Sequence, residues 1–181
     1  MLRWLTYLTL GQLLLALVGG LAHAGQLTRM LPSVAAVLVT HVAFSSACST
    51  PLGLAIAIAL GYLEDLHQGA PVGTLALAHG LVFLLLRRLS DRVALPGALA
   101  RAAAAAVAVA AVDLLTWALL WLVSDALGAR REALHQGLLD ARWHALATAL
   151  FAPPVWSLHD QLLTRLGLAP GHVHPDARGP A

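Results

Sequence analysis

Two adjacent acids, Glu64 and Asp65, sit in the run GYLEDLHQGAPVG at residues 61–73, between the apolar stretches 52–60 and 72–86. A turn built from Gly69, Pro71 and Gly73 holds them at the edge of that apolar region. Asp65 follows Gly61 by four residues, so it reads as an acid that orders the turn or binds a ligand there. A structural form of that role is an anion accepting N–H groups at the start of the next helix, where the helix dipole favours negative charge. The plain alternative is a solvated acid at a helix end. A third acid, Asp113, lies deep in an apolar run with Trp117 and Trp121 at i+4 and i+8. A carboxylate at mid-membrane depth costs about 2.5–3.5 kcal/mol on insertion scales. It is therefore expected to face a polar pocket or to bond another helix, with His79 or Gln12 as partners. Asp65 and Asp113 together offer a catalytic dyad in principle, and their spacing gives that no support.

Other chemistry is sparse. The nine histidines include no HxxxH pair, and His172-Val-His174 falls in a polar tail, so no metal site and no cofactor is expected. Cys48 is the only cysteine, which excludes an intrachain disulfide and any CxxC site; a small buried side chain is its expected role. There is no GxSxG, no P-loop and no dinucleotide fingerprint, so the chain reads as a non-enzyme.

The elements that must position these residues are helices in lipid. Of 181 residues, 59% are hydrophobic and 11% charged, and the mean hydropathy is +0.77. These values belong to integral membrane proteins. All eleven basic residues are Arg, and the net charge is only +2 with no basic stripe, which argues against nucleic-acid binding. Six apolar segments can be marked, at 2–22, 31–47, 52–63, 72–86, 98–123 and 143–163. Pro32, Pro51, Pro71 and Pro96 stand at or beside segment starts, where a missing N–H is harmless, and Thr50 is placed to cap the third helix. The expected fold is all-α: one polytopic membrane domain over residues 1–168 with about six transmembrane helices, then a disordered tail at 169–181. The third segment is short and either stops inside the bilayer or lines a cavity. Pro153-Pro154 should kink or break the sixth. The alanines at 102–106, 108, 110 and 111 suit close helix packing. The first segment has the layout of a signal peptide, but its apolar run is long enough to span, so an uncleaved helix is expected. Seven Arg on one side against four on the other put both termini in the cytoplasm and the residue 61–73 turn outside.

The pattern Gly61-x3-Asp65-x3-Gly69-x-Pro71-x-Gly73, followed by TLALAHGLVFLLLRRL, resembles the rod-shape-determining protein MreD family. Small size, about six spans, the basic loop RRLSDR and the ending LFAPPVWSLHDQLLTRLGL agree with that resemblance, which covers residues 2–168. Glu64, His67 and Gln68 depart from the family's usual residues. The resemblance implies a non-enzymatic scaffold of the bacterial inner membrane, acting in cell-wall elongation. Its implied partners are an MreC-like periplasmic protein, RodA with a class B penicillin-binding protein, and an MreB-like filament. It also implies a fold similar to the substrate-binding S components of energy-coupling-factor transporters. The 61–73 turn would then rim an outward pocket and Asp113 would line it. A vitamin-binding S component is accordingly the alternative function.

Overall fold

In a computed structural model the described residues are 2–25, 31–45, 48–68, 71–93, 95, 97–127 and 131–168. They form helices throughout: α1 (Leu2–Gly25), α2 (Val34–Phe44), α3 (Thr50–Gln68), α4 (Thr74–Ser90), α5 (Gly97–Leu127) and α6 (Arg131–Arg165). Gly69 and Pro96, and the tail from residue 169, lie outside the described residues.

α2 is the axis of the bundle. Its sequence, VAAVLVTHVAF, is apolar on every side, and a helix of that kind must be buried all round. Val34 to Thr40 are indeed buried, and α2 touches all five other helices. Ser33 caps its start, accepting the Ala36 N–H at 3.1 Å. With eleven residues α2 is only about 16 Å long, too short to cross a bilayer core of roughly 30 Å by itself. The second apolar segment thus forms the short central helix of the bundle. Around it α3 packs closely on α4, and α5 on α6, as antiparallel hairpins.

Among the described residues, two helices are long and apolar enough to cross a membrane, over Trp4–Leu21 and Gly97–Leu122. Both leave apolar side chains uncovered, including Leu13, Leu17 and Leu21 on α1 and Leu99, Val107, Leu114 and Leu122 on α5. The alanine run on α5 packs inward along Ala105 and Ala108, in register with Val109 and Val112 and with Ala111 partly buried against the same core; Ala103 and Ala110 face out.

Hydropathy located the helices but not their ends. α3 continues through Glu64 and Asp65 to Gln68, α6 begins at Arg131 rather than at residue 143, and α6 runs unbroken through Pro153 and Pro154. Glu, Gln, Leu and Arg are good helix formers, so a helix outlasts its apolar stretch. α3, about 28 Å long, is close to a full span.

At the end of the bundle where α2 stops and α3 starts, Arg87 of α4 closes the joint. Its guanidinium donates to the carbonyls of Ala43, Ser45 and Cys48 at 3.0, 2.9 and 3.2 Å. These are carbonyls that the end of α2 and the following link leave without helical donors. Burial pushes the Cys48 thiol up from its ordinary value, against the smaller opposite pull of Arg87. A raised pKa means less thiolate at neutral pH. Cys48 is therefore expected to alkylate several-fold more slowly than an unstructured cysteine at pH 7, the gap closing as pH rises; maleimide labelling rates across pH check this.

Candidate functional site: a polar core at the α3–α4 elbow

Gly61 and Asp65 lie one turn apart on the same face of α3, and the start of α4 rests on both. A Cβ on Gly61 would stand 2.6 Å from the Leu75 carbonyl oxygen and 2.8 Å from the Ala76 Cα. Only hydrogen fits there, so Gly61 sets how closely the two helices approach. One turn on, the Asp65 carboxylate, 1% exposed, accepts N–H bonds from Gly73 (2.9 Å), Leu75 (2.9 Å) and Ala76 (3.2 Å). Three donors converge on its two oxygens, which makes Asp65 the cap on α4. Gly73 takes φ +97, the left-handed conformation that lets the chain enter α4 with its N–H aimed back at Asp65. Pro71 accepts the Thr74 N–H through its carbonyl at 3.1 Å and completes the turn. Gly61, Asp65, Pro71 and Gly73 thus build one elbow, and in it Asp65 holds backbone rather than ligand.

Glu64 points the other way, into the bundle, at 2% exposure. One carboxylate oxygen, Oε1, accepts from Ser33 Oγ at 2.9 Å and from Gln68 Nε2 at 3.1 Å. The other, Oε2, faces His79 Nε2 at 3.3 Å, and neither atom has another partner. His79 Nδ1 lies 2.9 Å from the Leu75 carbonyl, which can only accept, so Nδ1 carries a proton. Nε2 and Oε2 thus face only each other, as a buried histidine–carboxylate pair. Ser33 ties in α6 as well, its N–H donating to Thr148 Oγ1 at 3.0 Å. Ser33, Glu64, His79 and Thr148 are all buried, and they join α2, α3, α4 and α6.

Asp113 is not part of that knot. Its partner is neither His79 nor Gln12 but His144 of α6, whose Nδ1 donates to both carboxylate oxygens at 2.9 and 3.1 Å. The pair keeps 20–25% of its side-chain surface exposed. It lies one helical turn before Thr148 on α6, beside Thr116 and Trp117, whose Oγ1 and Nε1 are buried with no protein partner. The bundle therefore does not bring Asp113 and Asp65 into contact with a shared atom, and each acid is fully engaged elsewhere.

Ser33, His144 and Thr148 were not legible as site residues, and His79 was read only as a partner for Asp113, whereas it faces Glu64. Single polar residues in apolar helices carry no spacing signal; only the isolated Ser before the apolar run VAAVLV marks a cap. Comparison with known proteins finds no match: no protein-family model, curated protein or solved structure corresponds significantly to the chain.

Proposed function

We propose that this chain is a non-enzymatic scaffold of the bacterial inner membrane, of the MreD type, that maintains rod shape as part of the wall-elongation machinery. The observation that carries the reading is the elbow. The residues on which the MreD resemblance rests, Gly61, Asp65, Pro71 and Gly73, act together to lock two helices instead of opening a reactive site. A rigid elbow beside a bundle whose polar core is tied internally suits a protein that presents a shape to its partners. In this reading the bundle crosses the membrane, both termini lie in the cytoplasm and the elbow faces the periplasm. The uncovered faces of α1 and α5 meet lipid or partner helices; an MreC-like protein, the RodA and class B penicillin-binding pair and an MreB-like filament are the proposed company.

Two measurements test it. Affinity purification from native membranes of the source bacterium is expected to recover an MreC-like coiled-coil protein, and depletion is expected to round the cells. A cysteine placed at Val72 in a Cys48→Ser background is expected to react with an impermeant maleimide added outside spheroplasts. Recovery of no wall-elongation protein, or labelling only after lysis, would overturn the reading.

One observation favours a second reading, the S component of an energy-coupling-factor transporter. Thr116 Oγ1 and Trp117 Nε1 stand unpartnered beside the partly exposed Asp113–His144 pair, the kind of convergent polar lining a small molecule uses. Native mass spectrometry showing one vitamin-sized molecule per chain, lost on Trp117→Phe, would establish it.

A further inference from the structure

A second polar cluster occupies the opposite end of the bundle, where α1 begins and α2 and α6 approach their ends. His41 of α2 and His159 and Asp160 of α6 each bring one metal-ligating atom into a group spanning no more than 4.8 Å. No spacing along a single helix gives this away, because the set closes between α2 and α6.

Each imidazole has one nitrogen held by a hydroxyl of α1. His41 Nδ1 lies 3.0 Å from Tyr7 Oη, and His159 Nε2 lies 3.3 Å from Thr6 Oγ1. Around a bound cation those nitrogens would donate to the hydroxyls, which turns the lone pairs of His41 Nε2 and His159 Nδ1 inward; without one, His41 Nε2 is hydrogen-bonded to Asp160. His41 Nε2 is 3.2 Å from Asp160 Oδ1. Tetrahedral zinc with bonds of about 2.0–2.1 Å sets its ligand atoms roughly 3.3 Å apart, so this separation is already that of two ligands on one ion. His159 is fully buried, yet its Nδ1 has no partner in the protein. A buried imidazole nitrogen without a partner costs free energy unless something binds it. A cation beside Asp160 would meet that need.

The surroundings fit as well. Tyr7 lies tilted against His159 with ring centroids 4.0 Å apart, and Trp156 meets His41 edge-on at 5.0 Å, so aromatic rings wall the cluster. Asp160 keeps 52% of its side chain exposed, which leaves a route of entry and room for a water ligand. The hydroxyls of Tyr7 and Thr6 are the outer-shell contacts that fix tautomer and ring direction in histidine metal sites.

We propose that His41 Nε2, His159 Nδ1 and Asp160 Oδ1 bind a divalent transition-metal ion, with zinc as the natural occupant. Two imidazoles and one carboxylate with an open position suit zinc, whereas magnesium and calcium prefer all-oxygen shells. The ion would clip α2 to α6, with α1 holding the two rings in place.

The test uses the full chain, purified in detergent with a histidine-free tag, stripped with chelator and titrated with Zn2+. One equivalent per chain is expected after dialysis by elemental analysis, with Mg2+ failing to compete. Co2+ is expected to show visible bands of a low-symmetry nitrogen–oxygen site. Asp160→Asn, a half-exposed and isosteric change, is expected to weaken Zn2+ binding by more than tenfold. Tyr7→Phe, which removes only a supporting contact, is expected to cost about 10–100-fold. The tail variant His172→Ala/His174→Ala is expected to bind as the parent does. Sub-stoichiometric binding, binding indifferent to both Asp160→Asn and His41→Ala, or binding lost with the tail pair would each overturn the proposal. Circular dichroism on every variant separates loss of the site from loss of the fold.

Discussion

Asp65→Ala is expected to lower the stability of the purified protein by about 3 kcal/mol or more. Hydrogen bonds to a charged group contribute roughly 1.5–3 kcal/mol each, and buried N–H groups left unpaired add their own penalty. Three backbone N–H groups lose their acceptor at once, two of them, from Leu75 and Ala76, in the buried interior. Because whole domains are stable by only about 5–15 kcal/mol, this is a large share of the total. In a domain of this size it corresponds to a fall in Tm of about 6–12 °C. Asp65→Asn should fall between, since its amide keeps one acceptor oxygen and turns an N–H2 toward donors. Gly61→Ala acts on the same joint by a different route. The added methyl meets the backbone of Leu75 and Ala76, which cannot rotate away, so a cost of about 1–3 kcal/mol follows. Tyr62, 45% exposed and adjacent in sequence, is the control: Tyr62→Ala should stay within about 0.5 kcal/mol. Thermal unfolding followed by size-exclusion chromatography checks all four. A parent-like Asp65→Ala would show that the carboxylate does not anchor α4.

The second large effect concerns Glu64 and His79. Glu64→Leu strands His79 Nε2 and the Ser33 hydroxyl, and His79→Leu leaves Oε2 of a buried acid with no partner. Removing one member of such a buried pair costs about 3–5 kcal/mol, whereas replacing both with apolar groups is often near neutral. The double variant Glu64→Leu/His79→Leu is therefore expected to be no less stable than either single one, so the two losses couple by at least about 3 kcal/mol. Additive losses would show that the two side chains do not act as a pair. Asp113→Leu should cost less than either single change, because its pair with His144 keeps contact with the surroundings.

The sequence is most informative where several residues act on one joint. Gly61, Asp65, Pro71 and Gly73 are four positions serving a single elbow, and their regular spacing exposed it together with the acid-at-helix-start role of Asp65. Apolar runs likewise placed six helices. The same runs misjudged lengths, because apolarity marks what is buried or lipid-facing while helix formation continues into Glu64–Gln68 and back to Arg131. The third dimension hid the rest. Ser33, Glu64, His79 and Thr148 come from four helices, and Asp113 meets a histidine 31 residues away that nothing in its neighbourhood announces. Read alone, Glu64 looked like an extra acid in a turn; it is instead the centre of the buried knot.

The two prolines of α6 have a mechanical consequence. Pro153 and Pro154 have no N–H to offer the carbonyls of Ala149 and Leu150, so the helix lacks two successive rungs of its ladder there while its axis continues. Below that gap lie Trp156, His159 and Asp160; above it lie His144 and Thr148. Bending costs least at such a gap. The two halves of α6 can thus be set at different angles, and the lower one is pinned to α2 where Trp156 Nε1 donates to the Val37 carbonyl at 3.0 Å.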